Sequence, residues 1–158
     1  MTEEPKMTNL DVVGEFILHF EASLDPRLWA KLCIEEAAEI MAEEIGTPEY
    51  LKEVCDGIYV DSGLALTCNE FTGQLLPKGE VNAISDALGV IDKAKASAIE
   101  HYGQNVLAEA FLAVHTSNMS KLDDNGKPIR REDGKIIKGP NYKAPDIKAI
   151  IEAAKYGN

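Results

Sequence analysis

Residues 25–60, DPRLWAKLCIEEAAEIMAEEIGTPEYLKEVCDGIYV, decide the fold. Asp25-Pro26 and Thr47-Pro48 each set a capping side chain before a proline in the first helical turn, where the missing N–H is tolerated. These caps predict two consecutive, antiparallel helices: one from Pro26 to about Gly46, the next carrying Leu51, Val54 and Ile58 and reading on towards Gly73. Working outward, Leu10, Val13, Ile17 and Phe20 mark one face of an earlier helix. Pro77-Lys78-Gly79 breaks the chain. Val81, Ile84, Leu88 and Ile91 then form the stripe of a fourth helix ending near Tyr102-Gly103. Val106, Ala110, Phe111 and Val114 belong to a fifth. The pattern predicts an all-α fold, an antiparallel bundle of about five helices over residues 8–119.

The character changes after Met119. Residues 120–145 form a turn-rich arm with Asn125-Gly126 and Asp133-Gly134 dipeptides. The second dipeptide separates Ile129-Arg130-Arg131 from Lys135-Ile136-Ile137, the pattern of a short β-hairpin. Asp146 caps a last short helix within residues 146–155. There is no internal repeat, and residues 1–158 read as a single domain.

With 16 Lys and Arg against 27 Asp and Glu, the net charge is −11. That balance excludes a nonspecific binder of nucleic acid or of an anionic membrane, which needs a basic face. Apolar residues at 45% and charged residues at 27% are globular values, so disorder is excluded too. No apolar run approaches the roughly 20 residues that span a bilayer. The acidic start, MTEEPKMTNL, resembles neither a signal nor a transit peptide. Cys33, Cys55 and Cys68 form no CxxC pair and read as reduced thiols of a cytoplasmic protein. His19, His101 and His115 are scattered, with none at ExxH spacing. Glycine-rich phosphate loops and the GxSxG motif are absent. The segment from Lys121 to Glu132 approaches a calcium-binding loop, but a lysine stands where the leading carboxylate belongs.

The carboxylates carry the chemistry. Glu35, Glu36 and Glu39 lie on the second helix; Glu53 and Asp56 lie on the third. Residues three or four apart share a helix face, so Glu36 with Glu39 and Glu53 with Asp56 form two acidic pairs. If the pairs face each other, they repel unless a cation joins them, and hard oxygen ligands suit Mg²⁺ or Mn²⁺. An acidic helix can equally be a solvated face. The apolar neighbours Leu32, Cys33, Ala37, Ala38 and Ile40, and the run Gly57-Ile58-Tyr59-Val60, weigh against that for this pair.

EExxE on one helix followed by ExxD on the next resembles the signature of the MazG-like all-α nucleoside triphosphate pyrophosphohydrolases. The likeness extends to PRLWAKLCIEEAAEI, LKEVCDGIYVDSGLAL and SNMSKLDDNGKPIRREDGKIIKGPNYKAPDI, most of residues 26–147. It implies Mg²⁺-dependent hydrolysis between the α and β phosphates of (deoxy)nucleoside triphosphates, giving monophosphate and pyrophosphate, in cleansing of the nucleotide pool. By position, Glu36, Glu39, Glu53 and Asp56 match the metal ligands. Glu35 matches a residue that orients or deprotonates the attacking water, or one that acts on the ligands from behind. Asn118 and Lys121 match an Asn-x-x-Lys element that binds substrate, while Lys138 and Tyr142 of the basic arm could close over the phosphates. Lys31, one turn before Glu35, could also touch substrate or be solvated. A homodimer or homotetramer is the assembly the resemblance implies.

Other readings stay open at this point. A phosphoribosyl-ATP pyrophosphohydrolase would share the signature. A noncatalytic metal-binding bundle or a carboxylate-bridged di-iron protein would also use these acids, although di-iron sites normally add ExxH histidines. Arg130 and Arg131 read as solvent or subunit contacts, and Trp29 and Tyr59 as core or subunit contacts.

Overall fold

The computed structural model describes residues 7–70 and 80–156. Its elements run α1 (Asn9–Phe20), α2 (Pro26–Met41), α3 (Pro48–Glu70), α4 (Val81–Tyr102), α5 (Gln104–Asn118), β1 (Ile129–Arg130), β2 (Ile136–Ile137) and α6 (Ile147–Tyr156). The fold is an all-α bundle with a small hairpin in the C-terminal arm. The expected end of the third helix near Gly73 and the break at Pro77-Lys78-Gly79 lie outside the described residues. No helix among the described residues is long and apolar enough to cross a membrane.

The helix starts follow the capping chemistry. The Asp25 side chain accepts from Arg27 N, with Pro26 in the first turn. Thr47 Oγ1 accepts from Tyr50 N at 3.1 Å, and Asp146 Oδ1 accepts from Ala149 N at 3.1 Å. α1 closes a reciprocal capping box between Thr8 and Asp11. α2 stops at Met41, short of the expected Gly46. The intervening turn passes through Gly46 at φ 101°, and the Tyr102 hydroxyl clamps it, accepting from Gly46 N and donating to Thr47 O, each at 3.0 Å.

The core is aliphatic, with α3 at its centre: Leu51, Val54 and Cys55 are fully buried. α3 packs against α1, α2, α4, α5 and α6. Ile84, Ile91, Val106, Ala110, Phe111 and Val114 are buried as their periodicity predicts. Leu10 and Val81 are exposed instead. Each sits in the first turn of its helix, beyond the reach of the neighbouring elements. α1 buries Val12 and Phe16 besides Val13, Ile17 and Phe20, and α4 buries Ala87, Ala94 and Ala98 besides Ile84 and Ile91. Gly63 lets the Trp29 ring lie directly on the α3 backbone, where any Cβ would collide with it.

In the arm, Ile129 pairs with Ile137 and Arg130 with Ile136, antiparallel. Gly134 takes the positive φ of 98° that closes this hairpin. Ile136 is buried against the bundle, and Arg130 Nη2 donates to Phe20 O at 2.7 Å. The hairpin therefore lies on the bundle.

Candidate metal and phosphate site

α2 and α3 are neighbours, and each turns acid into the seam between them. Ligand atoms of Glu36, Glu53 and Asp56 all lie within 4.8 Å of one another. Glu36 is dragged inward by its helix face: Cys33, Ala37 and Ile40 are buried around it, and Glu36 itself is only 8% exposed. Glu36 Oε2 and Glu53 Oε2 are buried with no hydrogen-bond partner. Burial, then the charges of Asp56 and Glu39, push the Glu36 carboxyl up to about 9. Burial and Asp56 likewise push Glu53 up to about 7, against the pull of Lys52.

Buried carboxylate oxygens without donors are costly. A divalent cation among them would satisfy both orphaned oxygens and remove the repulsion, and an all-oxygen donor set fits Mg²⁺ or Mn²⁺. Glu39 stands one turn further along α2. It is exposed at the rim, and its charge helps raise both Glu36 and Glu53. It lies outside the set of three whose ligand atoms converge. Cys55, between Glu53 and Asp56 in sequence, is fully buried on the opposite side of the helix turn, and burial raises its thiol far above its usual range. It is no ligand.

Two hollows meet at this cluster. One, with about 540 Å³ of space including its open mouth, has Phe16, Trp29 and Tyr59 in its walls and reaches Glu36, Asp56 and Asn118. The other, about 880 Å³ on the same measure, is lined by Lys52, Lys121, Lys135, Lys138 and Tyr142 around Glu36, Glu39 and Asp56. Asn118 and Lys121, at and just beyond the end of α5, border both. Asn118 is buried, and the Tyr59 hydroxyl beside it in the same hollow lies 2.9 Å from His115 Nδ1. Burial lowers the Lys121 ammonium, partly offset by Asp56. Lys138 Nζ sits 4.9 Å from the centre of the Tyr142 ring. The three aromatics and Asn118 thus border one hollow, and the lysines crowd the other.

Lys31 and Glu35 are engaged elsewhere. Lys31 Nζ is 2.8 Å from Asp133 Oδ2. Arg131 Nη2 lies 3.0 Å from Glu35 Oε1 and 2.6 Å from Asp133 Oδ2, and Lys135 Nζ lies 3.4 Å from Glu35 Oε2. Burial alone would raise Glu35, but Arg131 and Lys135 outweigh it and hold the carboxyl below its ordinary range. Glu35 therefore ties the hairpin to α2. Arg131 was expected as a solvent or subunit contact; within the chain it joins arm to bundle. The reason is length: the hairpin turn brings a guanidinium across to a helix nearly a hundred residues earlier.

Lys52 and Lys135 were not legible as site residues. For Lys52 a signal existed, since Lys52 and Asp56 are four apart on one helix; Nζ lies 2.7 Å from Asp56 Oδ2 and 3.4 Å from Glu53 Oε1. Burial opposes the Lys52 charge, but Asp56 and Glu53 outweigh it and hold the ammonium above its usual range. No local pattern announces Lys135. Among family models, curated proteins and solved structures, none matches this chain.

Proposed function

We propose that this chain is a Mg²⁺-dependent pyrophosphohydrolase of the MazG-like kind, cleaving (deoxy)nucleoside triphosphates between the α and β phosphates. One observation carries the reading: buried, unpartnered carboxylate oxygens on Glu36 and Glu53 cluster with Asp56, and Glu36 and Asp56 line a groove walled by lysines. An anionic site alone repels phosphates, and a cationic groove alone has no need of buried acids. Together they suit a metal-bound polyphosphate.

Glu36, Glu53 and Asp56 would hold Mg²⁺, with Glu39 reaching in from the rim. The ion, when bound, supplies neutralisation of the phosphates and a more acidic water. Lys121, Lys135 and Lys138 bind the phosphate oxygens and stabilise the charge that develops as the bond breaks. A water oxygen bonds to the α-phosphorus and gives up a proton to bulk solvent, the bond to the α–β bridging oxygen breaks, and pyrophosphate leaves with that electron pair. Asn118 orients the nucleoside, whose base enters the hollow between Trp29 and Tyr59. Glu35 and Arg131 hold the arm over the groove. A homodimer or homotetramer acting in nucleotide-pool cleansing is the setting this reading carries with it.

The test is a pyrophosphate-release screen over the common nucleoside and deoxynucleoside triphosphates with Mg²⁺ or Mn²⁺. The expected result is turnover of at least one nucleotide to monophosphate and pyrophosphate, falling at least a hundredfold in Asp56→Asn. No turnover of any nucleotide, or full turnover in Asp56→Asn, would overturn it.

A further inference from the structure

Among the described residues, Lys52 is the cation in direct ion-pair contact with the acidic cluster. Its ammonium touches Asp56 at 2.7 Å and Glu53 at 3.4 Å, on the oxygens other than the orphaned Glu53 Oε2. Its side chain is 31% exposed and borders the same lysine-walled groove as Lys121 and Lys138. One side chain thus neutralises Asp56 and Glu53 from the groove side, with the freedom of four methylenes to leave them.

We infer that Lys52 is an exchangeable counter-ion: it neutralises Asp56 and Glu53 while the site is metal-free, and a divalent cation displaces it into the groove, where it meets the substrate's phosphates. The inference rests on the metal-site reading above. The physical basis is competition for the same oxygens. Two cations cannot both sit within contact distance of Asp56 Oδ2 without strong repulsion. The divalent ion also satisfies Glu36 Oε2 and Glu53 Oε2, which Lys52 leaves without partners. Once displaced, the ammonium has an anion to pair with only if phosphates enter the groove. Metal entry and substrate binding are therefore coupled through one residue, which acts as a positioning and binding group.

The experiment is Mn²⁺ titration of the full chain without nucleotide, followed by electron paramagnetic resonance of the free ion, for wild type, Lys52→Met, Lys52→Gln and Lys52→Arg. Steady-state turnover of the best nucleotide at saturating Mg²⁺ accompanies it. Circular dichroism establishes that each variant is folded, and two uncharged variants guard against loss of one to misfolding. The expected result is Mn²⁺ affinity at least tenfold tighter in Lys52→Met and Lys52→Gln, near wild type in Lys52→Arg, with KM for the nucleotide raised severalfold in both uncharged variants. Unchanged or weaker Mn²⁺ affinity overturns the counter-ion role. Tighter metal with unchanged KM overturns the transfer to phosphate. A wild-type chain that binds no Mn²⁺, and a Glu36→Gln variant indistinguishable from it, would instead sink the metal-site reading itself.

Discussion

Glu36→Gln should stabilise the metal-free protein, and should do so only above acidic pH. In the fold the Glu36 carboxyl titrates at about 9, against an ordinary value of 4.5. Between those values the folded chain keeps a proton that the unfolded chain releases, so stability falls as pH rises from about 4.5 and levels off above about 9. Each unit in that window costs about 1.4 kcal/mol, or about 3 kcal/mol by pH 7 as an upper value. Glutamine keeps the shape and never ionises, so it removes the cost. For a domain of this size the gain corresponds to a Tm rise of roughly 6–12 °C at pH 7 and almost none at pH 4. Thermal unfolding by circular dichroism in EDTA, from pH 4 to pH 8, reads it directly. Added Mg²⁺ should raise the wild-type Tm, more at pH 8 than at pH 6, and leave the variant unmoved. A Glu36→Gln protein less stable than wild type at pH 7 in EDTA, or a gain equal at pH 4 and pH 7, would refute the placement of a repelled acid in this seam.

Arg131→Ala should release the hairpin from Glu35 while leaving the core intact. Cleavage of residues 127–138 in limited proteolysis should quicken severalfold and KM should rise, with Tm nearly unchanged because the pairs are half-exposed. Gly63→Ala should cost roughly 2–3 kcal/mol in urea unfolding, since the new Cβ meets the Trp29 ring; a neutral result would mean Trp29 does not lie on that backbone. Tyr102→Phe should cost about 1–2 kcal/mol by loss of both hydrogen bonds that clamp the α2–α3 turn, read in the same unfolding assay.

Much of the fold was legible because its determinants are local. Asp25-Pro26, Thr47-Pro48 and Asp146 cap helices wherever they occur, and the buried stripes of α3 and α5 follow from 3.6-residue spacing. The presence of the hairpin was readable from Asp133-Gly134 between two isoleucine-bearing triplets for the same reason. The early end of α2 was not readable, because the clamp on that turn comes from Tyr102, more than fifty residues away. In the site, spacing put Glu36 with Glu39 and Glu53 with Asp56 on shared helix faces but left a solvated face open; the structure brings Glu36, Glu53 and Asp56 together and leaves Glu39 at the rim. The roles of Arg131 and Lys135 depend on where the arm folds back, which no periodicity encodes. Lys31 and Glu35 share a helix face with Glu39, yet the arm claims them both.

The central claim is that these three acids and these lysines grip one metal-bound triphosphate. A crystal grown with Mn²⁺ and a nucleoside triphosphate carrying a non-hydrolysable α–β link tests it most directly, with anomalous scattering locating the metal. The account predicts a manganese peak bounded by Glu36, Glu53 and Asp56, with phosphates towards Lys121 and Lys138 and the Lys52 ammonium withdrawn from Asp56. A nucleotide bound elsewhere, or a cluster that stays metal-free with Lys52 still on Asp56, would contradict it.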